Sequence, residues 1–135
     1  MASQLFVYGT LLLSDNEFGH FLKMNSILIG RGKMRGNLFD AGDYPAAIAS
    51  KNTDSYVYGS IFRLNNDDVL KAIDSYEGYG EGEPTPYLFV REMADIETDS
   101  DVMTCWVYLY NRSTEKLKLV PSGNYISYIT KKPSR

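Results

Sequence analysis

A chain of 135 residues, 44% hydrophobic and 23% charged, fits one soluble globular domain. A domain of this size buries roughly two-thirds of the surface its unfolded chain exposes, so it needs no disulfide or metal staple. The net charge of −3 argues against nucleic acid as the main partner, since phosphate binding needs a clustered positive face, and the single cysteine, Cys105, excludes an internal disulfide. Met1-Ala2-Ser3-Gln4 carries neither a basic n-region nor a long apolar segment. The expectation is a cytoplasmic protein without a membrane partner.

The first element is a short apolar strand, Leu5-Phe6-Val7-Tyr8, which breaks at Gly9-Thr10. A continuous apolar run predicts a central strand covered on both faces. Gly9 can take a positive φ and lets another group approach the backbone. The amides of Thr10, Leu11 and Leu12 have no evident ladder partner, and such a turn can form an anion-binding concavity. An ordinary strand-to-turn transition explains the same residues. Ser14-Asp15-Asn16-Glu17 offers caps for a helix reaching about Met24. Ile27 to Gly32 reads as a strand, with Met34 to Asp40 as a second strand or the other half of a bent one. A turn follows at Ala41-Gly42-Asp43. Tyr44 is held extended by Pro45, and Ala46 to Ala49 reads as a small buried strand.

Tyr56 to Leu64 is dominated by aromatic and β-branched residues, and alternation puts Tyr56, Tyr58, Ser60, Phe62 and Leu64 on one face. Asn65 or Asn66 caps the next helix, with Asp67 and Asp68 in its first turn as the macrodipole favours. Val69, Leu70, Ile73 and Tyr76 form its apolar stripe, and Gly78 stops it. A Gly-, Pro- and Glu-rich loop runs from Gly78 to Pro86. Tyr87 to Ile96 and Met103 to Tyr110 read as a hairpin about Thr98-Asp99-Ser100-Asp101. Val120 to Tyr125 reads as a turn with a closing segment. Residues 1–130 form one domain on this reading and 131–135 a basic, frayed tail. Many strands and two helices predict an α+β domain with a mainly antiparallel sheet, one that can curl into a barrel and so remove its edges.

The residue inventory narrows the chemistry. His20 and Cys105 each stand alone, so no zinc-type ligand spacing exists. Asp67-Asp68 and Asp99-Ser100-Asp101 suit a helix start and a turn, not a calcium loop. Gly78-Tyr79-Gly80-Glu81-Gly82 follows a helix, so it lacks the strand that a nucleotide loop requires. Glu77 is more informative. It closes a helix whose macrodipole disfavours a carboxylate there, and inward burial would raise its pKa toward that of a working base. Taken alone, such a glutamate reads as a solvated side chain before a capping glycine.

Glu77 has company. Phe6-Val7-Tyr8-Gly9-Thr10-Leu11, Tyr44-Pro45-Ala46, Val57-Tyr58-Gly59-Ser60-Ile61-Phe62 and Ile73-Asp74-Ser75-Tyr76-Glu77-Gly78 occur in that order. Tyr87 with Arg91, Trp106-Val107-Tyr108 and Ser122-Gly123-Asn124-Tyr125 follow. From Leu5 to Tyr125 the set resembles the γ-glutamylcyclotransferase-like family, which includes the AIG2-like proteins and the γ-glutamylamine cyclotransferases. The specificity lies in the order and spacing of the motifs. The resemblance implies a small mixed, mainly antiparallel β-barrel flanked by short helices, with a cavity near the end of the first strand. It implies that Tyr8, Gly9, Thr10 and Leu11 hold a γ-glutamyl group, that Glu77 is catalytic, and that Tyr87 and Tyr108 line the pocket, with Tyr110 the alternative to Tyr108. The loop from Tyr79 to Pro86 is longer than the family pattern.

The implied reaction is cyclisation of a small γ-glutamyl substrate to 5-oxoproline with release of an amine or amino acid. It requires no metal or organic cofactor. The same pocket also suits a module that binds a small carboxylate or a protein partner without turnover, or a hydrolase in which Glu77 activates water.

Overall fold

The structure, a computed structural model, describes residues 3–9, 17–42 and 44–131. Its elements in chain order are β1 (Gln4–Val7), α1 (Glu17–Met24), β2 (Ser26–Asp40), β3 (Pro45–Ala49), β4 (Tyr56–Leu64), α2 (Asp67–Glu77), β5 (Phe89–Glu97), β6 (Val102–Tyr110), β7 (Lys118–Leu119) and α3 (Tyr125–Lys131). The strands β2, β4, β1, β6 and β5 neighbour one another in that order, and a β2–β5 pairing at Lys33 and Glu97 closes the ring. The result is a mixed barrel. Among the described residues, one parallel contact joins β1 to β6 at Leu5 and Trp106, and the other pairings are antiparallel.

β1 sits between β4 and β6 and is covered on both faces, as its unbroken apolar run predicts. Phe6 and Tyr8 join Met34, Val57, Ile61 and Val107 inside the barrel. Leu5 and Val7 instead join a second cluster with Leu22 of α1, Ile73 of α2 and Tyr108 of β6. Alternation along one short strand therefore ties the barrel interior to the helical layer. The two sequence segments at Ile27–Gly32 and Met34–Asp40 are one bent strand. β2 runs along β4 from Ser26 to Arg35, with an irregularity between Leu28 and Gly30, and then along β3 from Gly36 to Asp40. Leaving one partner for another lets a single strand serve the barrel and a small outer sheet with β3 and β7.

The caps of α2 are those its sequence predicts, and Val69, Leu70 and Ile73 of the expected apolar stripe are buried, but Tyr76 is exposed. The Asn66 side chain accepts from the amides of Asp68 and Val69, at 3.0 and 3.3 Å. Gly78 ends the helix at φ 73° and ψ 31°, a left-handed conformation that favours glycine. The Ser14-Asp15-Asn16 capping group expected for α1, like most of the basic tail, lies outside the described residues. The closing segment after Ser122-Gly123 proves to be a third helix. Ile126, Ile129 and Thr130 are poor helix formers. Burial of Tyr125 and packing of Ile126, Tyr128 and Ile129 on the barrel core outweigh that preference. Among the described residues no helix is long and apolar enough to cross a membrane, and no group of His, Cys, Asp and Glu side chains could hold a metal ion.

Candidate active site

The end of β1, the end of α2 and the starts of β3 and β5 meet around a cavity of about 280 Å³. β1 and the residues after it supply Phe6, Val7, Tyr8 and Gly9, and α2 supplies Tyr76 and Glu77. The opposite walls are Tyr44 and Pro45, Leu88 and Phe89, and Tyr108 of β6. Glu77 is the one charged side chain in the described lining.

Glu77 reaches this position because Val69, Leu70 and Ile73 bury one face of α2 against the sheet. The last turn of the helix holds no basic residue. Burial raises the Glu77 carboxyl from its ordinary 4.5 to about 7, and among the described residues no ion pair offsets that rise. Near neutral pH the group is therefore divided between acid and carboxylate, the condition of an efficient proton carrier.

Four further side chains brace the cavity. The Tyr8 hydroxyl donates to the Tyr108 carbonyl at 2.6 Å. The Tyr108 hydroxyl donates to Asp74 Oδ1 at 2.6 Å. Arg91 grips the same carboxylate with two bonds, Nε to Oδ1 at 2.8 Å and Nη2 to Oδ2 at 3.1 Å. The guanidinium lies 4.4 Å from the Trp106 ring centre. Burial first, then the nearby Glu77 carboxylate, pushes the Tyr8 phenol far above its ordinary range. For Tyr108 burial leads again, followed by the bond to Asp74. Both phenols stay protonated at any working pH.

The structure brings together Tyr8, Gly9, Glu77 and Tyr108, four of the residues singled out in the sequence. Thr10 and Leu11 lie outside the described residues. Tyr87 is placed elsewhere. It precedes β5, donates its hydroxyl to the Gly80 carbonyl at 3.1 Å and packs edge-on against Tyr79, while the next residues, Leu88 and Phe89, line the cavity. Of Tyr108 and Tyr110, Tyr108 lines the cavity and Tyr110 packs edge-on against Phe89. Of the two uses read for Gly9, the close approach is the one the structure shows. Positive φ is confined to Gly42, Gly78, Gly80, Gly82 and Gly123 among the described residues. What Gly9 provides is the close approach: a Cβ there would lie 2.5 Å from Pro45 Cγ. The bracing role of Asp74 went unread, because an aspartate on a helix ordinarily faces solvent. Tyr44 had a readable signal in the Pro45 that fixes it as extended, but that signal says nothing of a cavity.

The fold is a closed mixed barrel, and its cavity at the end of the first strand has a recessed carboxylate in its wall. The family described as gamma-glutamyl cyclotransferase, AIG2-like, matches residues 5–127. The chain belongs to that family. It is 29% identical over 124 residues to the gamma-glutamylcyclotransferase family protein ytfP of Citrobacter rodentium, covering 91% of this chain and 95% of that protein. The crystal structure of YkqA from Bacillus subtilis superimposes with a TM-score of 0.73 at 25% identity, over 97% of this chain and 43% of that one. An AIG2-like protein from Mus musculus gives a TM-score of 0.72 at 21% identity, over 92% of this chain and 88% of that one.

Proposed function

We propose that the chain is a γ-glutamyl cyclotransferase. The observation that carries this reading is the placement of Glu77, with its pKa of about 7, in one cavity with Tyr8 and Gly9. Family membership supports it. A γ-glutamyl compound holds its nucleophile and its electrophile in the same molecule. Its α-amine attacks the γ-carbonyl carbon, the carbonyl oxygen takes up charge, and collapse breaks the bond to the leaving nitrogen. The products are 5-oxoproline, a five-membered lactam, and a free amine or amino acid. No water is consumed.

Three tasks fall to the protein. It holds the substrate folded so that amine and carbonyl meet, which converts binding energy into effective concentration. It removes a proton from the α-ammonium and returns one to the leaving nitrogen, and Glu77 does both. It stabilises the oxyanion or the α-carboxylate with backbone amides at the strand-end turn. Of the residues given this role, Gly9 is the described one. For Thr10 and Leu11 this role rests on the sequence.

The test is a 5-oxoproline assay with γ-glutamyl-alanine, γ-glutamyl-ε-lysine and a wider γ-glutamyl panel. Product from at least one substrate, lost in Glu77→Gln, is the expected result. Saturable binding of an unconverted γ-glutamyl ligand would turn the reading to a binding module, and glutamate in place of 5-oxoproline would turn it to a hydrolase.

A further inference from the structure

Asp74 is the least exposed charged residue in the described part of the chain, at 9%. Burying a carboxylate and a guanidinium together is expensive, and apolar residues of similar volume often stabilise a fold as well or better. The pair therefore calls for a reason other than stability. Its geometry supplies one. Asp74 accepts two bonds from Arg91 and one from the Tyr108 hydroxyl. Arg91 and Tyr108 face each other across the β5–β6 ladder, and Trp106 flanks the guanidinium. Asp74 and Glu77 are three residues apart on α2, so they share one side of the helix.

A phenol has a single proton and two acceptor lone pairs. Arg91 pairs with both oxygens of the Asp74 carboxylate, and that carboxylate accepts the hydrogen bond that the Tyr108 hydroxyl donates. What Tyr108 then offers to a ligand is an acceptor. Arg91 also cancels the charge of Asp74, which leaves Glu77 as the uncompensated anion of the described cavity lining. We propose that Asp74 and Arg91 are positioning residues: they fix the Tyr108 hydroxyl as an acceptor beside Glu77, so that the site recognises the protonated α-amine of its substrate. This rests on the γ-glutamyl reading and deepens it. The two acceptors hold the amine in the orientation from which Glu77 takes its proton, and Tyr8 secures the β6 backbone behind Tyr108 through the Tyr108 carbonyl.

The experiment compares two ligands, γ-glutamyl-methylamide and N-methylglutaramate, which differ by the α-amine. Binding to Glu77→Gln is measured by calorimetry, so that turnover does not interfere. Glu77→Gln should prefer the amine-bearing ligand by about tenfold, the order expected of one hydrogen bond to a charged group. Adding Asp74→Asn lets the new amide donate to Tyr108 and frees the phenol proton to point at the ligand. The preference should fall to near unity while N-methylglutaramate binds within about twofold of its former affinity. Adding Arg91→Lys, which keeps the charge, should retain the preference. If the Asp74→Asn protein does not fold by circular dichroism, Tyr108→Phe carries the test, because it leaves the Asp74–Arg91 pair intact and should also abolish the preference.

A preference that survives Asp74→Asn, or Tyr108→Phe where the Asp74→Asn protein does not fold, overturns the proposal. So does an equal loss of both ligands, which is what a merely structural role would give, or failure of Glu77→Gln to bind either ligand. The outcome is separable from the cyclotransferase reading. A wild-type protein that makes no 5-oxoproline while the amine preference behaves as described defeats that reading alone. Cyclisation without the preference defeats this inference alone.

Discussion

Glu77→Gln removes an ionisable group and leaves the shape of the side chain nearly unchanged. In the folded protein the Glu77 carboxyl titrates near 7, against an ordinary 4.5. At about 1.36 kcal/mol per tenfold change in acidity, full ionisation disfavours the folded state by at most roughly 3 kcal/mol. The residue keeps some contact with solvent, so about 2 kcal/mol is the working figure. The sign follows from which state releases its proton first. Well below 4.5 both folded and unfolded chains are protonated, and the stabilising contribution is fully present. Between 4.5 and about 7 the unfolded chain ionises first, and wild-type stability falls as pH rises. Above about 7 the loss is complete. Urea unfolding of both proteins from about pH 4 to pH 8 should therefore show near-equal stability at the acid end. The Gln variant should gain about 2 kcal/mol over wild type at the alkaline end. A difference that does not change with pH would refute the burial argument. In the 5-oxoproline assay, wild-type kcat/KM should rise through about pH 7 as the base ionises, while Gln should be slower by about a hundredfold or more.

Gly9→Ala puts a methyl group 2.5 Å from Pro45 Cγ; the expected result is destabilisation of about 1–3 kcal/mol in urea and weaker ligand binding, since both residues line the cavity. Arg91→Met leaves the buried Asp74 carboxylate without its cation, and unfolding should show a loss of about 3–5 kcal/mol, with Arg91→Lys retaining part of it. Asn66→Ala removes the N-cap of α2 and should lower stability by about 0.5–2 kcal/mol. Because that cap is at the far end of the helix from Glu77, the pH dependence of turnover should stay where it was.

Local chemistry made most of the elements legible. The Asn66 cap, the acidic first turn and the Gly78 stop define α2 without any tertiary information. The alternation in Tyr56 to Leu64 places Val57, Gly59 and Ile61 on the opposite face from Tyr58 and Ser60, and the barrel buries the first set. Glu77 stood out because its sign opposes the helix that carries it. Features that depend on distant pairs were not legible. Asp74 meets Arg91 and Tyr108 through contacts across 17 and 34 residues, and no local pattern marks them. The barrel closes through a single pairing at Lys33 and Glu97. Helix α3 forms against its own propensity, held by the barrel core beneath it. Tyr87 was placed in the pocket by a motif match, yet the strand begins two residues later and Leu88 and Phe89 take the wall.

The position of β1 between β4 and β6 has a consequence for the order in which the chain can fold. Leu5 pairs with Phe62 and with Trp106, so β1 meets its neighbour β6 about a hundred residues after its own synthesis. At roughly 5–20 residues per second on a ribosome, Leu5-Phe6-Val7 waits roughly 5–20 s for β6. In that interval β2 and β4 can pair, and β1 can add to β4, but the barrel stays open along the edge that β6 will fill. Contacts of such sequence separation place the folding of this chain toward the slow end of small domains. A nascent chain halted before Val102 exposes one edge of an apolar strand, the species on which a chaperone would act.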